Sequence, residues 1–158
     1  MRAFSDRPLP AESVERILQA GRVTGSAMNR QPWRFVVLER PAVRAAVAEA
    51  VFAPANLTRA PLAVAIVIHG GRTAEFDAGR AAQNMMLAAA NDGIASTPNG
   101  VADGERFAQA IALEEGERPA IVLSLGYPAR PRRVEERSAE EWVERANRKP
   151  LEEIVRHL

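Results

Sequence analysis

From about Phe76 to Asn91 the chain reads as one helix whose apolar positions cover almost its whole circumference: Ala81, Ala82, Met85, Met86, Leu87, Ala88, Ala89 and Ala90. A surface helix keeps a polar stripe. One that is apolar all round must be buried, at the centre of its domain or between two copies of it. Six alanines between Ala78 and Ala90 leave little side-chain bulk, so a neighbouring helix can approach closely. Asp77 in the first turn complements the helix dipole, and Gly93 stands where a C-terminal cap belongs. The rest of the chain is expected to fold around this helix.

Shorter elements alternate on either side of it. Val14, Ile17, Leu18 and Gly21 fall at helical spacing and predict a helix over 11–22. Trp33 to Leu38 is rich in β-forming residues and reads as a strand. Pro41 suits a first helical position, and Val43, Val47 and Val51 lie on one stripe, so a helix is predicted from Pro41 to Val51. Ala53 to Pro61 holds two prolines and Asn56 and reads as a loop. Leu62 to Ile68 is almost wholly apolar and of strand length, as expected of a strand buried on both faces. Beyond the long helix, Ile94 to Val101 reads as irregular, with Thr97-Pro98-Asn99-Gly100 as a turn. A helix over 103–113 and a strand over 119–127 follow. Neither a Gly-x-Gly-x-x-Gly after a strand nor a Gly-Lys-Ser/Thr phosphate loop occurs. The pattern predicts an α+β domain of two or three layers, with a small mixed sheet flanked by helices.

Residues 128–150 differ in character: six arginines and five glutamates surround Val134, Trp142 and Val143. A segment this polar cannot bury enough apolar surface to hold itself together. It either moves freely or lies across a partner, and Trp142 favours docking. Leu151 to Val155 then restores an apolar face.

The 158 residues suffice for one domain with a sizeable core. With 21 basic against 20 acidic residues, no strong field draws nucleic acid or an anionic membrane. The absence of cysteine excludes disulfides, thiolate nucleophiles and cysteinyl metal sites. His69 and His157 are far apart, no metal-ligand spacing occurs, and neither Ser26 nor Ser124 sits in a Gly-x-Ser-x-Gly elbow. No secretion signal is visible between Met1 and Pro10, and no apolar run approaches the roughly 20 residues that span a bilayer. The cytoplasm is the expected location.

Between the first helix and the first strand lies Ser26-Ala27-Met28-Asn29-Arg30-Gln31-Pro32-Trp33. Ser26, Asn29 and Gln31 offer a hydroxyl and two carboxamides, each able to donate and accept. Such a set suits a heteroaromatic ring whose edge alternates carbonyl and N–H groups. Pro32 stiffens the exit and Trp33 adds a large flat apolar surface. On its chemistry alone the stretch reads first as a polar turn followed by a core tryptophan.

This run resembles the signature of the nitroreductase family, in which Ser-x-x-Asn-x-Gln-Pro-Trp precedes the first strand. Four further blocks are similar, in the same order. Asp77-Ala-Gly-Arg80-Ala-Ala-Gln83-Asn84 begins the second, which closes at Gly93-Ile94-Ala95-Ser96; the third is Gly126-Tyr127-Pro128. The fourth runs from Arg148 through Pro150-Leu151-Glu152-Glu153 to Val155, and Arg2-Ala3-Phe4 matches the end of the family's opening motif. The resemblance implies a nitroreductase-like α+β fold with the long helix at the interface of an intimate homodimer. It implies FMN as cofactor, NADH or NADPH as electron donor, and a nitroaromatic, quinone or similar small molecule as acceptor. Ser26, Asn29 and Gln31 would meet the flavin ring, Arg2 its pyrimidine side, Pro98, Asn99 and Gly100 would offer backbone, and Arg148 would hold the phosphate. Gln83 and Asn84 read better as hydrogen-bonded helix residues.

No metal and no catalytic side chain are expected, because flavin chemistry takes place at its own N5 atom. The family's leading Arg-Arg-Ser has no counterpart ahead of Arg2. Phosphate binding would therefore rest on Arg148, unless a start upstream of Met1 supplies the missing residues. The alternative is a flavin- or deazaflavin-binding protein of the same fold with little turnover, acting as carrier or partner subunit. Residues 1–158 are expected to form a single domain, with 128–158 wrapping the partner subunit.

Overall fold

The computed structural model describes residues 3–130 and 138–158. Its centre is β2 (Leu62–His69), whose first seven residues are all buried. Strand geometry sends alternate side chains to opposite faces. Leu62, Val64, Ile66 and Ile68 therefore join one core, and Ala63, Ala65 and Val67 join another. Each fully buried aliphatic side chain contributes about 1.5–3 kcal/mol, so this short run ties two layers to one strand.

The first core lies beneath α1 (Ala11–Arg22) and α4 (Ala74–Asn91), which pack on each other. The second is covered by α2 (Pro41–Ala48), α3 (Pro54–Thr58) and α5 (Gly104–Ile111), with Val47, Leu57 and Phe107 fully buried there. The result is a three-layer α+β domain.

The sheet has the order β1-β2-β4-β3, with β1 at Trp33–Val37, β3 at Ala95–Asn99 and β4 at Glu117–Gly126. A mixed sheet was expected, but all three pairings are antiparallel. The reason is the insertion of β4. Strands β2 and β3 run the same way and are joined by the helical crossover α4, but β4 lies between them and opposes both.

Two segments expected to be irregular are ordered elements. Pro54 starts α3 at a first helical position, where its missing N–H costs nothing, and Leu57 anchors the turn in the core. Residues 95–99, expected to contain a turn, form edge strand β3; Pro98 is tolerated because an edge strand needs no donor on its outer side. Helix α2 stops at Ala48, short of the expected Val51, which instead bridges Val101.

Helix α4 is not enclosed by its own chain. Ala74, Asp77, Ala78, Ala81, Ala82, Met85 and Ala89 are buried, while Phe76 and Leu87 remain 69% and 58% exposed with Gly79 and Gln83 on the same side. After β4, Tyr127 to Ala129 pairs with the chain start: Ser5 donates to the Tyr127 carbonyl and Ala129 to that of Ala3. Gly126 admits no side chain there, since a Cβ would lie 2.6 Å from Pro61 Cδ. Helices α6 (Ala139–Arg145) and α7 (Leu151–Ile154) follow, and none of residues 138–158 is buried.

Candidate functional site

The polar loop between α1 and β1 is held in an uncommon shape. Ala27–Asn29 form a single 3₁₀ turn, and Met28, Asn29 and Gln31 have φ of 52°, 53° and 48°. Asparagine tolerates this left-handed region, but a residue such as Met or Gln is held there at a cost on the order of 1 kcal/mol or more. Two side chains fix the loop. Ser26 Oγ accepts the Gln31 N–H at 2.8 Å, and Asp77 Oδ2, from α4, accepts the Ala27 N–H at 3.2 Å. Asp77 is 2% exposed and has Arg80 as its cation at 3.8 Å. In sequence Asp77 stands in the first turn of a helix and opens the second block of the resemblance, but neither reading gave it a contact with the loop. Its partner lies 50 residues away, and no local pattern marks such a contact.

This construction frees the functional groups. The Asn29 carboxamide is exposed and makes no hydrogen bond with the described residues, and Gln31 Nε2 reaches only the Asn29 carbonyl at 3.4 Å. Ser26 keeps its own hydroxyl proton to donate. Gln31 lines an open groove of about 510 Å³ with Leu18, Gln19, Arg22, Glu15, Trp33 and Phe35. Trp33 and Phe35 stack in it, centroids 6.3 Å apart and planes within 10°, and give the groove a flat apolar wall.

The predicted residues 98–100 lie elsewhere. They sit on and just beyond β3, at the sheet edge opposite β1. With strands ~4.8 Å apart, the two edges of a four-stranded sheet are roughly 14 Å apart. Pro98 lines a second hollow, about 400 Å³, with Gly79, Gln83 and Met86 of α4 and residues 119–121 of β4. Glu75 also borders it; hydrogen bonding to Arg118 holds the Glu75 carboxyl below the usual carboxylate range.

The Asn99 side chain is turned inward, 3% exposed. Its Nδ2 faces Thr97 O at 3.1 Å, Val122 O at 3.0 Å and Ser124 Oγ at 2.9 Å, and its Oδ1 accepts from Asn56 Nδ2 at 3.1 Å. Only its backbone can serve a ligand. Gly100 lies against the exposed ring of Phe52, where a Cβ would come within 3.2 Å. Asn84 donates to Thr24 Oγ1 at 2.8 Å, tying α4 to the turn just after α1, in keeping with a structural role.

Arg148 is exposed on the tail, between α6 and α7, and hydrogen-bonds none of the loop residues. Arg2 lies outside the described residues; its neighbour Ala3 is placed by the pairing with Ala129. Among the described residues no group of three His, Asp or Glu side chains could hold a metal, and no helix is long and apolar enough to cross a membrane.

The same architecture occurs in known proteins. A nitroreductase family protein from Clostridium difficile superimposes with a TM-score of 0.81 and 26% identity, over 99% of this chain and 91% of that one. An FMN-dependent nitroreductase from Clostridium difficile shares the fold at 17% identity, with a TM-score of 0.76 and coverage of 89% and 88%. A protein from Archaeoglobus fulgidus with the provisional name NADH dehydrogenase/NAD(P)H nitroreductase is 31% identical over 139 residues, 81% of this chain and 79% of that protein. The family model described as Nitroreductase family matches residues 1–69 and 55–127. These matches run through the loop, the sheet and α4, and the chain therefore belongs to the nitroreductase family, an oxidoreductase.

Proposed function

We propose that the protein is an FMN-dependent oxidoreductase that works as a homodimer, taking electrons from NADH or NADPH and passing them to a nitroaromatic, quinone or similar acceptor. The observation that carries this reading is the loop at 26–31. It spends three left-handed residues, two of them non-asparagine, to present the free carboxamide of Asn29 and the weakly held one of Gln31, which borders a flat apolar wall. Strained backbone of this kind persists where the surroundings impose it, and it gathers at ligand sites.

The donor set fits a flavin. A ring edge that alternates carbonyl and N–H groups needs partners that both donate and accept, as Asn29 and Gln31 do. Bound FMN would supply the hydride chemistry at its N5 atom. The chain's own part is to bind, orient and exclude water. Asn29 and Gln31 would address the polar ring edge, Ser26 would donate its hydroxyl proton, and the backbone at Pro98, Asn99 and Gly100 would approach the ring closely. Arg148 would hold the phosphate, for which a guanidinium is well shaped, and Arg2 the pyrimidine side.

Two further observations support the dimer. Loop 26–31 and segment 98–100 serve opposite edges of one sheet, so a single ring touching both draws them from different copies. The uncovered side of α4 carries Phe76, Gly79, Gln83 and Leu87, and the tail exposes Val143, Leu151 and Ile154; each is surface that a second copy could cover. In this reading residues 128–158 wrap the partner.

The purified protein tests the proposal directly. It should be yellow, with flavin absorption that bleaches on adding NADH or NADPH and returns with a quinone. Asn29→Ala should weaken FMN roughly ten- to hundredfold, since unpaired groups typically cost about 1–3 kcal/mol. A colourless dimer that ignores FMN would refute it and favour a carrier or partner subunit.

A further inference from the structure

We propose that Asp77 is the positioning residue that sets the ligand-facing shape of loop 26–31, through the backbone of Ala27. The inference rests on the reading of that loop as the flavin site, but it concerns a residue that touches no ligand. Three observations converge on it. The carboxylate is 2% exposed, and a charge so buried is retained only where partners hold it. Both its oxygens are committed: Oδ2 accepts the Ala27 N–H at 3.2 Å, and Oδ1 faces Arg80 Nη1 at 3.8 Å. It also lies in the first turn of α4, where the helix dipole favours a negative charge.

The contact falls where the loop needs it. Ala27 directly precedes Met28 and Asn29, whose φ values are 52° and 53°. The Ser26 hydroxyl closes the turn on its other side by accepting the Gln31 N–H at 2.8 Å. Ser26 acts within the loop and moves with it; Asp77 alone of the two belongs to the long helix α4, on its buried side. The loop's conformation is thereby referred to α4, the element that packs on α1 and the sheet. Arg80, the counter-charge, is 47% exposed and near the Phe76 ring at 5.7 Å, so the clamp reaches the uncovered face of α4.

Amide hydrogen exchange on the apo protein tests the clamp without flavin. In the parent, the Ala27 amide should exchange at least tenfold more slowly than that of Met28. In Asp77→Ala the Ala27 and Gln31 amides should both lose that protection, while β2 amides keep theirs, and FMN should bind at least tenfold more weakly. Asp77→Asn retains an acceptor for the Ala27 N–H and should recover most of both properties. An unprotected Ala27 amide in the parent would overturn the proposal, even if Asp77→Ala failed to fold. So would an Asp77→Asn variant as impaired as Asp77→Ala, or an Asp77→Ala variant with unchanged exchange at Ala27. The flavin reading fails separately: Asn29→Ala would then bind FMN like the parent while the exchange results stood.

Discussion

Asn99→Asp changes one atom of a buried network and should unfold more than it unbinds. In the parent, the Asn99 carboxamide nitrogen faces the carbonyls of Thr97 and Val122 and the hydroxyl of Ser124, all within 3.1 Å. A carboxylate at that site can donate to none of them. The Ser124 hydroxyl can rotate to donate, and Asn56 Nδ2 still has an acceptor, but two carbonyl oxygens then face a buried negative charge. Stranding buried polar groups typically costs about 1–3 kcal/mol each, and an uncompensated buried charge about 3–5 kcal/mol in all. At roughly 2–4 °C per kcal/mol for a chain of this size, Tm should fall by about 6–20 °C at pH 7. Burial beside carbonyls raises the folded-state pKa of the introduced carboxyl, so the penalty is full above that pKa and shrinks as pH falls toward about 4. Thermal denaturation followed by circular dichroism at pH 7 and pH 5 measures both effects. A variant as stable as the parent at pH 7 would refute the network. A stable variant that had lost FMN would show that the Asn99 side chain meets the ligand.

Three further outcomes are expected. Arg148→Ala should weaken FMN at least about tenfold relative to riboflavin in parallel titrations, because a charged hydrogen bond contributes roughly 1.5–3 kcal/mol and only FMN carries the phosphate; equal losses for both flavins would place the phosphate elsewhere. Deleting residues 128–158, none of which is buried from 138 onward, should leave monomeric or insoluble protein without flavin; a truncated dimer that retained FMN on size exclusion would count against the wrapped tail. Hydrogen bonds from the Arg16 guanidinium and the Ser13 hydroxyl hold the Asp92 carboxyl below the usual carboxylate range, so its contribution is present above the unfolded-state pKa of about 3.9 and is lost as pH falls through the lower folded-state value. Asp92→Asn should accordingly lower Tm near pH 7 but converge with the parent in acid, which flattens the acid limb of a Tm-against-pH curve.

Where neighbouring residues decide a conformation, the sequence was readable. Helix α1 spans the predicted 11–22, and the apolar run at β2 pointed correctly to burial on both faces. Strand β3 was hidden because Pro98 and Asn99-Gly100 carry turn chemistry, which an edge position and the pairing with β4 override. Helix α3 was hidden because Pro54 signals a break and a start equally well, and only the burial of Leu57 decides. The apolar residues of α4 were visible in sequence, but burial all round was expected, and in this chain one side stays exposed, with Glu75, Arg80 and Gln83 beside Phe76 and Leu87. At the loop, the polar residue types were visible in sequence. Their left-handed backbone and its support from Asp77 were not, since both follow from a contact made in three dimensions.

The late insertion of β4 bears on how the chain is made. During synthesis β2 and β3 leave the ribosome before the strand that joins them, since Leu62 pairs with Leu125 and Ala95 with Gly126. Until then β2 has β1 on one edge only, and its other edge and the apolar side chains at 121–125 have yet to meet. Pairings this distant in sequence form slowly, and open strand edges invite association with other chains. Nascent chains stalled before residue 117 should therefore depend on chaperones, whereas release beyond residue 126 should let the whole sheet close in one step.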